Sequence, residues 1–226
     1  MIAVIPARGG STRLKDKNIR LLGGKPLIRW VTEAVINSKC FDRIIISTDS
    51  DDIFNAVSDL KVERHNRPKD HATTRATVLN AMVDLVENHI TDDFDTFAYF
   101  LPTCPFIRPE QIREGVGKIK TGLYDSVVST SYYEEPIQLA CIRSQEGVIH
   151  PLFDNLTAGL TNSKFIQKYV KPNGGFYMTS RENLLEHRNF FKGNVYGVLI
   201  PNEDIVDIDY EEDLIAAESR LKYRNK

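Results

Sequence analysis

An open, mostly parallel α/β sheet with helices on both faces is the fold class that this sequence predicts, on two observations. Short apolar runs bounded by turn residues alternate with longer stretches whose apolar residues recur at helical spacing. Several of those runs are near-continuous rather than alternating, the pattern of strands buried on both faces. Such an alternation implies right-handed βαβ crossovers, and ligands of these sheets sit at the carboxyl ends of the strands.

In chain order, Ile2–Pro6 is the first expected strand, followed by a glycine turn. Leu27, Ile28, Val31, Ala34 and Val35 then place their side chains on one helical stripe, and Pro26 sits where a first helical turn would start. Arg43–Ser47 reads as a strand, and a further short strand is expected before Arg67. Leu79, Met82, Val83 and Val86 form a second stripe, and Thr96–Leu101 the next strand. Pro109–Lys120 reads as a helix with its proline in the first turn, and Ser126–Thr130 as a strand. From Ser131 to Pro172 the alternation weakens, which reads as an insertion and a candidate oligomerisation arm. Strands at Gly175–Met178 and Val195–Ile200 and a helix at Tyr210–Arg220 complete the pattern, and Lys222–Lys226 reads as a frayed tail.

The 226 residues suffice for one α/β domain with a sizeable core, so residues 1–226 are expected to form a single domain, with 131–172 a candidate dimerisation insertion. The 29 Lys and Arg nearly balance the 31 Asp and Glu, which argues against nucleic acid or an anionic membrane as a partner. Cys40, Cys104 and Cys141 are widely spaced, unlike a disulfide framework or a structural zinc site. Met1 leads directly into the first strand without the basic and apolar regions of a signal peptide, and no run approaches the roughly 18 apolar residues of a spanning helix. A cytoplasmic protein is expected.

The stretch from Ala7 to Asn18 follows the first strand and carries Gly9, Gly10 and the cations Arg8, Arg13, Lys15 and Lys17. Glycines let backbone amides approach an anion, and the cations offer charge to a polyphosphate. It matches neither the P-loop nor the dinucleotide fingerprint. Asp207-Ile208-Asp209 places two carboxylates on one face of an extended segment, an arrangement suited to Mg²⁺ carrying substrate phosphates. The couplet reads equally as an acidic strand end leading into a helix, where Glu211, Glu212 and Asp213 would complement the helix dipole.

With these motifs the sequence resembles the acylneuraminate (sialic-acid-type) cytidylyltransferases, whose members open with a similar strand, glycine turn and Lys-Asn pair. Cys40 to Arg43, Ser47-Thr48-Asp49, Arg67-Pro68, Pro102-Thr103-Cys104-Pro105, Pro172-Asn173-Gly174-Gly175 and Asp207-Ile208-Asp209 recur in family order. The resemblance implies a Rossmann-like α/β domain with a smaller dimerisation element, and a homodimer. It implies transfer of CMP from CTP to the anomeric hydroxyl of a nine-carbon acidic sugar, with Mg²⁺ on Asp207 and Asp209. Arg8 and Lys17 would hold the phosphates; Ala7, Gly9, Gly10, Ser11, Arg13, Asn18 and Thr77 would complete the nucleotide site, and Arg67 would contact the cytosine. Asn173, Phe190, Phe191 and Gln138 would line the sugar site. Asn-Gly is also an ordinary turn dipeptide, and paired phenylalanines are also ordinary core. The role of Tyr177 stays open.

Some positions depart from the family pattern. Thr12 replaces a lysine common after the glycines, and Ser-Thr-Arg-Leu is also the form in cytidylyltransferases of 3-deoxy-manno-octulosonate. Leu101 replaces a glutamine, Ser163 stands in place of an arginine, and Glu135 to Gln138 is similar to the pseudaminic-acid branch. The alternatives are therefore the octulosonate enzyme and a non-catalytic nucleotide-binding protein on the same fold. Retention of Lys17 with both carboxylates speaks against the latter.

Overall fold

β1 (Ile2–Pro6) is buried along its whole length and runs parallel to both neighbours, β4 (Arg43–Thr48) and β6 (Thr96–Phe100). The computed structural model describes residues 1–68, 78–90 and 94–224, with all of their side chains except that of Val78. Among the described residues the main sheet has the order β11 (Val195–Leu199), β7 (Ser126–Tyr132), β10 (Val170–Ser180), β6, β1, β4 and β5 (Glu63–Asn66). Its pairs are parallel except where β10 runs antiparallel to β6 and β7.

Alternate residues of β1 feed two core layers, which is why the strand reads as continuously apolar. Ala3 and Ile5 pack with Ile44, Ile46 and the stripes of α1 (Leu27–Ser38) and α4 (Pro109–Ile119), through Ile28, Val31, Val35, Ile112 and Val116. Ile2 and Val4 face the other way, toward Met82, Val83, Leu85 and Val86 of α3 (Val78–Asp84) and the π-helical turn Leu85–His89, and toward Leu184 of α5 (Arg181–His187). A third cluster joins Leu14, Leu22, Leu27 and Phe106 to Ile208, Leu214 and Ala217, the last two on α6 (Glu211–Arg224). Leu22 lies on the short pair β2 (Leu21–Leu22) and β3 (Lys25–Pro26).

The expected elements are present, with differences at their ends. Pro26 caps α1 rather than opening it, whereas Pro109 is the first residue of α4. α2 (Asp51–Asn55) and α5, too short to show a stripe, are each started by a serine: Ser50 and Ser180 accept from the amides of Ile53 and Asn183. β10 extends well beyond Gly175–Met178, because its register with β7 breaks between Pro172 and Tyr177 and resumes on both sides. α6 stays helical through Arg224, correcting the frayed tail expected from Lys222. Its last turn is held where Arg224 donates to the carbonyl of Glu203 and pairs with the buried Asp204.

Between β7 and β10 the chain leaves the sheet and forms a small antiparallel pair, β8 (Cys141–Arg143) and β9 (Ile149–Pro151). No helix among the described residues is long and apolar enough to cross a membrane.

Candidate active site

The basic glycine turn emerges at the carboxyl end of β1, between β4 on one side and β6 on the other, where the order of the sheet reverses. The amide of Ala7 donates to the Ser47 carbonyl at 2.9 Å, carrying the β1–β4 ladder one residue past the strand. The Asn18 side chain, buried under the turn, donates to the Arg8 carbonyl at 2.9 Å and closes the loop on itself. Gly9 donates its N–H to Asp49 Oδ1 at 2.8 Å, and a Cβ there would lie 3.1 Å from Ser50 Cβ, so the close approach favours glycine. Asp16 turns the chain in the left-handed region at φ 53°, and the 3-10 turn Lys17–Ile19 follows, directing Lys17 across the opening.

The acidic couplet reaches the same opening from the far end of the chain. Ile208 is fully buried and its amide donates to the Thr103 carbonyl at 3.0 Å, so the carboxylates on either side of it point away from the core. Asp213, in the first turn of α6, accepts from the amides of Asp209 and Tyr210 at 3.0 and 2.8 Å and fixes the couplet to the helix start. Lys17 Nζ lies 2.7 Å from Asp209 Oδ1, and Arg13 grips the same carboxylate with both terminal nitrogens, at 2.9 Å to Oδ1 and 2.7 Å to Oδ2. The two motifs therefore meet.

Asp207 differs from Asp209 in having no cation within ion-pair distance among the described residues. It keeps a path to solvent, yet the surrounding protein desolvates it and raises its pKa; a hydrogen bond with Thr103 pulls the other way and Asp209 adds to the rise. Beneath it, Cys104 is fully buried and donates to the Asn173 carbonyl at 3.6 Å. Burial first, then Asp207, pushes this thiol far above its usual range, so it stays neutral and is no nucleophile.

Arg67 follows β5 and is buried, its amide donating to the Thr48 carbonyl at 3.0 Å. Desolvation lowers its pKa while Tyr99 and Asp49 oppose that fall, and its Nε is a buried donor without a partner among the described residues. Thr77 lies outside the described residues. Asn173 sits in the β10 irregularity, not in a hairpin turn. Its Oδ1 accepts from Ser129 Oγ at 2.6 Å and from the Gly175 amide at 3.1 Å, leaving Nδ2 buried and unpartnered. Unpartnered buried donors are uncommon in proteins, which marks both side chains for a partner that the described residues do not supply.

The phenylalanine pair divides. Phe190 is buried in the second core layer, 6.1 Å from Tyr99 ring to ring, whereas Phe191 is half exposed. Tyr177 packs against both, 5.1 Å from Phe190 and 6.4 Å from Phe191 ring to ring. Its pKa is raised by burial, then by Cys104 and Asp207. Gln138, in the 3-10 turn Ile137–Leu139, donates to the Gln167 carbonyl of the arm at 2.8 Å rather than to the loop or the couplet. A cavity of about 690 Å³ at the root of the arm is lined by Tyr132, Tyr133, Lys164 and Tyr169, with Ser163 on its wall; it is separate from the cation–carboxylate cluster. Leu101 backs onto the β10 irregularity, its Cδ1 3.2 Å from where a Gly174 Cβ would lie.

Asp49 and Thr103 lie in segments of the resemblance that imply no role for them, and Asp213 is expected only to complement the helix start, whereas the structure has it accept from the Asp209 and Tyr210 amides. For Asp49 a signal existed, since it is the first acid past the carboxyl end of a central strand.

The cytidylyltransferase family model matches residues 2–146. Over 232 aligned residues the chain is 33% identical to the CMP-N,N'-diacetyllegionaminic acid synthase of Legionella pneumophila, covering 98% of this chain and 96% of that one. It is 28% identical to the pseudaminic acid cytidylyltransferase of Campylobacter jejuni, covering 100% and 97%. It is 29% identical to the N-acylneuraminate cytidylyltransferase of Escherichia coli, covering 100% of this chain but 53% of that protein, so it spans about half of that relative. Among solved structures, a CMP:2-keto-3-deoxy-manno-octonic acid synthetase complexed with CTP superposes with a TM-score of 0.72 at 16% identity, over 99% of this chain and 98% of that one. At that identity the likeness is one of fold.

Proposed function

We infer the reaction from one premise: this chain belongs to the cytidylyltransferase family. It is a CTP-dependent nucleotidyltransferase that transfers CMP to the anomeric hydroxyl of a nine-carbon acidic sugar of the sialic, pseudaminic or legionaminic type and releases pyrophosphate. The observation that carries this reading is the 2.7 Å contact of Lys17 with Asp209, which joins the basic turn to the acidic couplet at the carboxyl edge of the sheet.

Attack of the anomeric hydroxyl on the α-phosphorus needs placement and charge neutralisation more than a covalent helper. Arg8 and Lys17 are proposed to hold the phosphates, with the amides of Gly9 to Ser11 as donors once Asp49 releases Gly9. Arg67, with its unpartnered Nε, is proposed to read the base, and Asn173, Tyr177 and Phe191 to face the sugar. Asp207 and Asp209 are hard oxygen donors on one face, a set that fits Mg²⁺ with phosphates completing its shell. Bound there, the ion would supply positive charge to the phosphate oxygens.

A homodimer is proposed on the apolar surface of the arm, where Phe165 is 87%, Ile149 61% and Leu160 60% exposed. A cytoplasmic setting is proposed from the CTP requirement. The deciding assay follows pyrophosphate release from CTP and Mg²⁺ with legionaminic, pseudaminic and N-acetylneuraminic acids and 3-deoxy-manno-octulosonate, side by side. Turnover of one nine-carbon sugar is expected; turnover of the eight-carbon sugar alone overturns the substrate class.

A further inference from the structure

Asp207 and Asp209 are not equivalent in the ligand-free protein. Asp207 meets Thr103 but no cation among the described residues, whereas both oxygens of Asp209 are paired with cations: Oδ1 with Lys17 Nζ and Arg13 Nη2, Oδ2 with Arg13 Nη1. Three of the carboxylate's roughly four acceptor sites are then filled, two of them by Arg13, so a hard cation held by both oxygens displaces one of these partners. Lys17 is enclosed, with 13% of its side chain exposed, and follows a turn whose end is tied down by Asn18. Arg13 is 52% exposed and on its outer side meets the ring of Tyr210 at 5.5 Å from guanidinium to centroid, so it is the partner that can leave.

We propose that Arg13 is a placeholder on Asp209, occupying the carboxylate until a divalent cation arrives with nucleotide and then turning to the phosphates that the cation brings. This rests on the reading of Asp207 and Asp209 as the metal pair. The exchange conserves charge pairing: Asp209 passes from a guanidinium to a divalent ion, and Arg13 from a carboxylate to a phosphate, a ligand its planar fork also matches. Its consequence is that metal alone binds weakly and metal with CTP binds cooperatively. Asp49, which holds the Gly9 amide in the same loop, is a second acid standing where phosphate is expected.

The test uses the full chain without sugar and reads Mn²⁺ binding by calorimetry, alone and then with CTP. Arg13→Gln is expected to bind Mn²⁺ alone roughly 2- to 5-fold more tightly than wild type, the range of an exposed ion pair converted to affinity. The same variant is expected to bind CTP in the presence of Mn²⁺ more weakly, so the two effects have opposite sign. Lys15→Gln is the control, because Lys15 is exposed on the same loop and outside ion-pair distance of any acid among the described residues. Tighter Mn²⁺ binding in Arg13→Gln only, with weaker CTP binding, supports the proposal. Unchanged or weaker Mn²⁺ binding in Arg13→Gln overturns it, and so does equal tightening in Lys15→Gln, which reports only a general field. Wild-type Mn²⁺ binding in Asp209→Asn would overturn the metal reading itself, a result distinct from the other two.

Discussion

Leu14 and Ile208 lie in one buried apolar cluster, and their chain neighbours Arg13 and Asp209 meet above it. The apolar cluster ties the segments that carry the two charged motifs to one another. Exposed ion pairs contribute about 0–1 kcal/mol each, whereas burying a leucine or isoleucine side chain stabilises by about 1.5–3 kcal/mol.

Ile208→Ala is therefore expected to lower stability to urea by about 2–5 kcal/mol through the cavity it leaves. It should also reduce kcat/KM for CTP by roughly 10²-fold, since the carboxylates on either side lose their fixed direction. Urea titration and pyrophosphate release read the two effects, and a stability loss with unchanged kcat/KM would show that the cluster does not set the site.

Asp209→Asn and Lys17→Ala are expected to leave the far-UV circular dichroism unchanged and to lower turnover by roughly 10²–10³-fold, the scale of losing one preorganised charge contact. Wild-type-like turnover in the first would refute the metal assignment. Full activity of the second at saturating CTP would remove Lys17 from the phosphate site.

His65 on β5 gives the protein an acid-sensitive point. Burial and the neighbouring His89 lower its pKa from 6.5 to about 4, with Asp84 opposing and Arg67 adding to the fall. Ser47 Oγ lies 3.0 Å from Nδ1, and Nε2 is buried without a partner among the described residues. The unfolded chain binds the proton more readily than the folded one, so stability is fully present above pH 6.5 and is lost as pH falls toward 4. The loss should amount to about 2–3 kcal/mol across that window. Urea midpoints at pH 7 and pH 4.5 should converge more closely in His65→Gln than in wild type; an identical pH slope in both would rule His65 out as the cause.

The centre of the fold was legible because β1, β4 and β6 are covered on both faces and write that into a continuous apolar run. The opposite direction of β10 was not, because strand direction leaves no trace in local periodicity and depends on what the arm does between β7 and β10. Arg8, Arg13, Lys17, Asp207 and Asp209 were legible from residue type and position, and the structure brings Arg13, Lys17 and Asp209 into contact. The contacts of Asp49, Tyr177 and Asp213 were not, since each is made with a partner distant in sequence or with a backbone amide. Phe190 and Phe191 look alike in sequence, and only the packing on Tyr99 and Tyr177 tells the buried ring from the exposed one.

The arm supplies the last prediction. Phe165, Ile149, Leu160, Leu152 and Ile142 are each exposed between β7 and β10, where an isolated chain would leave them in water. Lys168 and Lys171 lie over the rings of Tyr132 and Tyr133 at 5.5 and 5.4 Å, so cations already cover part of the aromatic surface at the arm's root, whereas no such cover is seen for Phe165 among the described residues. If a second copy buries this surface, a charge placed in it must be desolvated on association. Phe165→Asp combined with Ile149→Asp is then expected to convert a dimer to a monomer by light scattering at micromolar concentration, with the near-UV spectrum of the main domain retained. A wild-type chain that is monomeric under the same conditions would remove the dimer, and a dimer that persists in the double variant would move its interface off the arm.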